Sequence, residues 1–493
     1  MERFIMDTNF IGWEMLEKPI DICLLGGDYL LENNINLFNI IFKRNENYEL
    51  TAILNGFIDE NIGGKVNNFF KSIENNKIVI KSLNGHDITF QYNVRNYIYH
   101  QVHYAVKLDI LYLRIGEIDE EKVEWKSRWY INGSDLILLR NPIYTIEKSS
   151  NFKRLNDVGE LIINADSEFN HFVSSYFVVK PDTLNQFIVS KISNKFNPQW
   201  SKKMSIDFFR EFGFHSKEQI NLIENVLSFA FGRSLIDIGE SHFDKNGSLI
   251  YYKAYSPRIS HTINLKYICD MGPNCPLFYT FFDMRHENDL AFIIDKCEES
   301  NVNYYNVFNY LRESFNLPPL SEIVLIAGAL EFLAENWLQN NSSGKHEHMP
   351  QEDFENLISD ELNSCHEKFE EYGVKRIDDL MDNIKGAYKK QGSKKLDLFF
   401  DELGITLGKI EEPAIQYRHT PAHGRIMNLK MARKFSLRTL SYRLLLNRCI
   451  LKSLNFEGYY WDFFSKSYKN LSESIDKEDF NKVRDSVKFI KDN

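Results

Sequence analysis

Four Asn-Gly pairs, all before residue 250, constrain the fold of the first half of this chain more than any other feature. Asn-Gly favours the tight turns that join antiparallel strands. From Val102 to Tyr112 apolar side chains occupy the even positions, which is the period of a strand with one buried face. The pairs are Asn55-Gly56, Asn84-Gly85, Asn132-Gly133 and Asn246-Gly247. This pattern predicts an antiparallel sandwich or barrel.

The periodicity becomes helical between Ser216 and Arg233, and after about residue 300 it stays helical with no further hairpin signal. The first predicted helix of this last region has an apolar face of Ile323, Ile326, Ala327, Leu330 and Trp337. The second begins near Asp353 and repeats Phe354, Leu357, Ile358, Leu362, Cys365, Phe369 and Tyr372. Residues 377–388 and 396–403 predict shorter helices, and Leu437, Leu440, Leu444, Leu451 and Leu454 mark a final long one. These intervals of three, four and seven residues are typical of a helical bundle.

A chain of 493 residues is too long for one ordinary core. The sequence therefore predicts a multidomain α+β protein in three parts. Residues 1–200 form a β-rich sandwich or barrel-like domain. Residues 201–300 form an α/β extension packed on it, with a short strand pair around Asn246-Gly247. Residues 301–493 form an all-α bundle.

The sequence shows no basic lead followed by an apolar stretch, so no secretory signal is expected. The longest apolar run, Ile323 to Leu330, lies between two glutamates and is far shorter than a membrane span. We therefore expect a soluble, cytoplasmic protein with no membrane partner.

The cysteine pattern argues against both a disulfide framework and a zinc ribbon, because no C-x-x-C pair occurs. Cys269, Cys275, His261 and His286 have the wrong spacing for the common zinc sites. The tripeptide at 346–348 lies in a turn-rich stretch and is interpreted as solvated. We predict no metal site and no cofactor.

The residues best suited to catalysis are Arg418 and His423. In a continuous helix their side chains would point about 140° apart and could not serve one phosphate. A break is therefore needed, and Pro421 supplies it. The chain either begins a helix there with Thr420 as its cap or ends one with Gly424 as its terminator. Either arrangement brings the two side chains to a common side.

Such a pair suits cleavage of RNA by its own 2′-hydroxyl. Imidazole exchanges protons near neutral pH without a metal. Guanidinium is always charged and matches two phosphate oxygens, so it stabilises the negative charge of a pentacoordinate transition state. Because one histidine cannot be base and acid at once, a two-fold dimer with two pairs in one cleft is predicted.

The charge around the pair is reversed relative to the whole chain. The net charge is −10, yet no Asp or Glu occurs between Pro413 and Phe456. Nine positive residues lie there: Arg418, Arg425, Lys430, Arg433, Lys434, Arg438, Arg443, Arg448 and Lys452. We interpret the stretch as a footprint for RNA backbone, with Arg425, Arg433, Lys434 and Arg438 as candidate contacts. An ordinary solvated helix face is the alternative for each of them.

The string Arg418-His419-x-x-x-His423, followed by glycine and a long helix, resembles the Arg-x(4-6)-His signature of the HEPN superfamily. A polar residue directly after the arginine is typical there, and His419 fits that place. The later runs Leu444 to Leu451 and Gly458 to Tyr460 resemble the HEPN domain of ApeA-like bacterial anti-phage proteins. Pro421 departs from the more helical versions of the motif.

The specific resemblance covers roughly residues 300 to 493, and over the first 300 it is only architectural. It implies a homodimer with a composite active site, RNA as substrate, no metal and a role in abortive phage defence. We expect the β-rich domain to act as a sensor or regulator, with a phage-derived trigger as its candidate partner. Glu331, beside the apolar stripe of the first bundle helix, is a candidate to orient a motif side chain.

Two rival functions remain open from the sequence. One is a non-catalytic dimeric module that binds RNA or a protein through a HEPN-like bundle, which needs the basic face but not His423. The other is a metal-dependent hydrolase that uses the Cys and His residues of the middle segment.

Overall fold

The computed structural model describes most of the chain but leaves several internal ranges aside. The described residues are 20–23, 37–45, 48–57, 77–81, 87–99, 103–131, 151–156, 159–164, 176–191, 204–245, 249–257, 276–277, 286–315, 317, 319–341, 351–373, 375–378, 381, 384, 392–416 and 429–486. The chain divides into two compact units. The first comprises Met1–Pro273 and Phe278–Ala291, and the second comprises Asn274–Leu277 and Phe292–Asn493. We call them the sheet unit and the helical unit.

The sheet unit contains one large antiparallel sheet of twelve strands among its described residues. These strands are β1 (Ile20–Cys23), β2 (Leu37–Arg44), β3 (Leu50–Phe57), β4 (Lys77–Lys81), β5 (Asp87–Tyr99), β6 (His103–Ile115), β7 (Trp125–Ile131), β10 (Tyr176–Val179), β11 (Phe187–Lys191), β12 (Met204–Phe209), β13 (Ile236–Phe243) and β14 (Leu249–Tyr255). Their order is β1-β2-β3-β6-β14-β13-β7-β12-β11-β10, and β5 joins β4 to β6. Two further strands, β8 (Asn151–Asn156) and β9 (Gly159–Asn164), pair only with each other. The predicted antiparallel, β-rich first half is confirmed.

The Asn-Gly pairs have three different outcomes. Asn84-Gly85 falls between β4 and β5 and Asn246-Gly247 between β13 and β14, and each of these strand pairs is antiparallel, as predicted. The hairpin prediction for Asn55-Gly56 is wrong, because both residues lie inside β3 and pair with β2 and β6. The pairing of β3 with β2 shifts register opposite this position, between Leu37 and Asn39. Asn55-Gly56 therefore lies at an irregularity of the ladder and not at a turn. Asn132-Gly133 lies outside the described residues.

The predicted helix between Ser216 and Arg233 is confirmed as α1 (Lys217–Phe231). Ser216 Oγ accepts from the Gln219 N–H, and the Gln219 side chain accepts from the Ser216 N–H, which is a capping box. Gly232 ends the helix in the left-handed conformation.

Strands on both sides of residue 200, the predicted domain boundary, belong to the same sheet. β13 and β14 lie between β7 and β6, in the interior of the strand order. Gly239 allows this close pairing, because its φ is +149° and a Cβ there would lie 2.3 Å from the Lys253 carbonyl oxygen.

A charged cluster links α1 to strands β7 and β13. Arg128 contacts Glu224 at 2.9 Å and Asp237 at 2.6 Å. Tyr130 donates to Glu224 at 2.6 Å, and the Gly239 N–H donates to Asp237 at 2.9 Å. We call Arg128, Glu224 and Asp237 the sheet charge cluster. Because it holds two carboxylates and one guanidinium, it carries an excess of negative charge.

The helical unit consists mainly of helices, as predicted. The described helices of this half of the chain are α2 (His286–Glu299), α3 (Tyr304–Ser314), α4 (Pro319–Asn341), α5 (Gln351–Glu371), α6 (Gly392–Leu403), α7 (Glu411–Gln416), α8 (Leu429–Ser453) and α9 (Lys477–Ser486). Of the stretch 377–388, which was predicted to form a helix, most lies outside the described residues. None of the described helices is long and apolar enough to cross a membrane.

The prediction of an all-α second half is wrong in one place. Strands β15 (Tyr459–Asp462) and β16 (Ser467–Asn470) form an antiparallel hairpin. Tyr460 and Trp461 favour strands. Asp462 accepts from the Phe464 N–H at 2.9 Å and thereby stabilises the turn. A hairpin of four-residue strands is too short to leave a clear alternation in the sequence.

The apolar faces predicted for the long helices are partly confirmed. Ile323, Ile326 and Leu330 of α4 are fully buried, and so is Leu451 of α8. On α5 the outcome is mixed. Leu362 is buried there, but Leu357 is 66% exposed, and Tyr372, just beyond the end of α5, is 84% exposed. Leu357 lies one residue before Ile358 and is therefore about 100° around the helix from it, outside the stripe.

Candidate functional site

The predicted catalytic residues lie in the connection between α7 and α8. Helix α7 ends at Gln416 and α8 begins at Leu429, so Arg418, His419, His423 and Arg425 belong to the segment 417–428. We call this stretch the motif segment, and it lies outside the described residues. Arg433 and Lys434 belong to α8, but their side chains are likewise outside the described part of the structure. The structure does describe the elements that hold both ends of the motif segment.

Helix α7 is held through its first residue, Glu411. The carboxylate accepts from the Gly408 N–H at 2.8 Å, and the Glu411 N–H donates back to the Gly408 carbonyl at 3.0 Å. The Glu411 side chain is completely buried. A helix of six residues is not stable alone, so these anchors and its packing on α8 decide where α7 lies.

The partner of Glu411 is Arg448 of α8, which is also completely buried and forms an ion pair with it. Arg448 also donates to two backbone carbonyls after β16. Nε donates to Leu471 O at 2.9 Å, and Nη2 donates to Ser472 O at 3.2 Å. One guanidinium therefore joins α7, α8 and residues 471–472. We call Glu411 and Arg448 the α7 latch.

A second buried ion pair joins α8 to α4. Arg443 Nη2 lies 2.5 Å from Glu322 Oε1, and the guanidinium lies 4.5 Å from the ring centre of Phe315. Burial lowers the pKa of Arg443 and raises the pKa of Glu322, while each partner's charge opposes the other's shift. Pairing with an opposite charge and a ring thus compensates part of the cost of burial.

These two ion pairs correct the interpretation of the basic stretch. Arg443 and Arg448 are 2% and 0% exposed, so neither is available to an RNA backbone. Arg438, a predicted RNA contact, is half-buried, as is Lys452. The expectation that all nine positive residues form one electrostatic footprint is wrong for Arg443 and Arg448, because burial and carboxylate partners neutralise their charges.

Glu331 was the candidate to orient a motif side chain. It lies on the exposed side of α4, and its role stays a prediction. One turn further along, Glu335 forms an ion pair with Lys395 of α6 at 3.2 Å.

Glu322 and Glu411, the carboxylate partners of two α8 arginines, are not among the residues predicted from the sequence. The spacing of Leu444, Arg448 and Leu451 carried a signal, because residues four before and three after a position lie on the same face of a helix. An arginine between two core leucines at these intervals must itself face the core. Its need for a buried carboxylate then follows from the cost of burying an unpaired charge.

No group of three or more His, Cys, Asp or Glu residues that could hold a metal occurs within the described ranges. The middle-segment residues Cys269, Cys275 and His261 lie outside those ranges, as does the side chain of His286. The described part of the helical unit therefore offers buried ion pairs but no cluster of metal ligands.

The comparisons with known proteins identify no relative of this chain: no protein family, no curated protein and no solved structure matches it.

Proposed function

We propose that this chain is a metal-independent endoribonuclease whose catalytic residues are Arg418 and His423. The observation that carries the proposal is the pair itself. It is set in a stretch without any Asp or Glu, within the connection of two helices in a helical unit. The resemblance of this string to the HEPN signature supports the assignment. Acid-free surroundings favour phosphate binding.

The proposed reaction needs no group from outside the protein and the RNA. His423 takes the proton of the 2′-hydroxyl while the 2′-oxygen attacks phosphorus, and the bond from phosphorus to the 5′-oxygen breaks. Arg418 stabilises the added negative charge on the phosphoryl oxygens. The same histidine of a second copy donates the proton to the leaving 5′-oxygen. The products are a 2′,3′-cyclic phosphate and a 5′-hydroxyl end, and water then opens the cycle to a 3′-phosphate.

The biological role that we propose is abortive defence against phage, with the sheet unit sensing a phage-derived trigger. The division of the chain into a sheet unit and a helical unit is compatible with separate sensing and cleaving parts. The alternative, a module that only binds RNA, depends on a strongly basic face. Its electrostatic basis is weakened because Arg443 and Arg448 are buried.

The test is to incubate the purified full chain with total RNA in EDTA and to map the ends produced. The proposal expects cleavage in chelator, cyclic phosphate or 3′-phosphate ends, and loss of cleavage in His423→Ala. An activity that disappears in EDTA and returns with added magnesium would reject this mechanism. Cleavage that persists in the His423→Ala protein would point to a contaminating nuclease or another site.

A further inference from the structure

The α7 latch is one of two buried ion pairs that join separate helices within the described part of the helical unit. Arg448 contacts Glu411 on α7 and the carbonyls of Leu471 and Ser472, so three separate pieces of chain meet at one guanidinium. Both charged side chains are fully removed from water. None of these contacts is required by the catalytic step proposed above.

A buried ion pair is a poor way to gain stability. Desolvation of both ions offsets most of their attraction, and a well-packed apolar pair of similar volume often does as well or better. An ion pair restricts the relative orientation of its two partners, because guanidinium and carboxylate bind in a limited set of geometries. The latch is therefore better suited to fixing the orientation of α7 than to stabilising the unit as a whole.

The orientation of α7 matters because Arg418 follows the last residue of α7 by only two positions. A rotation or shift of this short helix moves the point from which the motif segment leaves it. Catalytic groups lose about a hundredfold in rate when they are misplaced by about 1 Å. The other end of the motif segment joins the start of α8, the helix that carries Arg448 nearer its far end.

We propose that Glu411 and Arg448 are positioning residues whose ion pair fixes α7 on α8, and with it the point from which the chain leaves α7 toward Arg418. The effect of this ion pair on catalysis rests on the proposed ribonuclease function. Its effect on the position of α7 is independent of that function.

The chain offers a matched control in the pair Glu322 and Arg443. Both pairs join a buried glutamate to a buried arginine of α8, but only Glu411 belongs to α7. We compare Glu411→Gln with Glu322→Gln in the full-length protein. Each change removes one buried negative charge while preserving shape, so a general loss of stability should affect both variants.

The first measurement is backbone hydrogen exchange of peptides that cover residues 408–416. We expect exchange in α7 to be about tenfold faster in Glu411→Gln, and close to that of the parent in Glu322→Gln, because only the first change releases α7 locally. Equal exchange in the two variants would overturn the inference. If Glu411→Gln does not fold, a double variant replaces it: Glu411→Leu with Arg448→Met, which leaves no unpaired charge. Its control is the double variant Glu322→Leu with Arg443→Met, measured in the same way.

The second measurement is RNA cleavage by the same proteins. We expect kcat to fall by about tenfold or more in Glu411→Gln with KM within about twofold of the parent, and both constants to stay near the parent in Glu322→Gln. Faster exchange in α7 with unchanged kcat would overturn the positioning role. A parent protein that never cleaves RNA would instead reject the proposed function, and the exchange data alone would then decide whether the latch fixes α7.

Discussion

Arg443 of α8 and Glu322 of α4 form an ion pair of 2.5 Å inside the helical unit, where both residues are buried. Arg443→Met would leave Glu322 buried without its partner. We expect the free energy of unfolding to fall by about 3 to 5 kcal/mol, because an uncompensated buried charge is costly. Urea unfolding followed by circular dichroism measures this loss.

The double variant Arg443→Met with Glu322→Leu serves as the control for this first prediction. It leaves no charge at the site, so most of the lost stability should return. RNA affinity in the double variant should show the same salt dependence as in the parent, since Arg443 is buried and paired with Glu322. Equal destabilisation of the single and double variants would show that packing, rather than charge pairing, dominates there.

A second prediction concerns Asp237 of the sheet charge cluster. Burial raises the pKa of Asp237 from 3.8 to about 6, and the negative charge of Glu224 adds to this against the attraction of Arg128. The folded state thus binds a proton more tightly than the unfolded state does. The contribution of Asp237 to stability therefore falls as pH rises from about 4 to about 6, by up to about 3 kcal/mol. Asp237→Asn should remove this pH dependence, as measured by urea unfolding between pH 4.5 and 8.

Glu240, on the same strand, serves as a control because its pKa shifts in the opposite direction to that of Asp237. Burial alone would raise its pKa, but the neighbouring His242, whose Nε2 lies 4.0 Å from the Glu240 carboxylate, and the charge of Arg128 outweigh burial and lower the pKa. Its contribution is present above the unfolded pKa and is lost as pH falls through the folded one. Glu240→Gln should therefore lose stability at neutral pH relative to acid. The same pH profile for both variants would contradict the assignment to Asp237.

The sequence predicted those features of the fold that depend on neighbouring residues. The apolar spacing after Ser216 predicted α1, and Asn84-Gly85 and Asn246-Gly247 predicted the antiparallel pairing of the strands on either side of them. The strand order could not be predicted, because β13 and β14 pair with strands that lie far away in the chain. Asn55-Gly56 illustrates the same limit: pairing on both sides of β3 overrides its turn preference.

The candidate site shows a similar division. The residue types and spacing of Arg418 and His423 are visible in the sequence, and so is the absence of acidic residues around them. The α7 latch is not, because Glu411 and Arg448 are 37 residues apart and meet only through packing. Both interpretations of the basic residues of α8, as an RNA footprint or as a solvated helix face, assumed that charge implies exposure. Arg443 and Arg448 break that assumption by having buried carboxylate partners.

A third prediction is that the active form is a homodimer paired through the helical unit, with the motif segment and α8 at the two-fold contact. One histidine cannot act as both base and acid in a single turnover, so two copies must contribute to one cleft. Sedimentation at micromolar concentration should show a dimer, and dilution below the dissociation constant should reduce the specific cleavage rate. A monomer that cleaves at full rate would refute the composite site.

The fourth prediction separates catalysis from binding. His423→Ala removes the group that transfers protons but almost none of the positive charge. We expect cleavage to fall by about a hundredfold or more while RNA affinity changes little. Arg418→Ala should lower the rate by a similar factor and also weaken binding modestly, because it removes a charged contact to phosphate. Single-turnover cleavage and filter binding measure the two quantities independently.

The control for this separation is Arg433→Ala with Lys434→Ala, two charges of α8 outside the catalytic pair. This variant should bind RNA more weakly, and its affinity should depend less steeply on salt, because fewer counterions are released on binding. Its single-turnover rate at saturating protein should stay near that of the parent. Circular dichroism establishes that each variant is folded. If a folded His423→Ala protein cleaves as fast as the parent, the motif is not the catalytic site. A loss of binding confined to the Arg433 and Lys434 variant would then favour the module that binds RNA without cutting it.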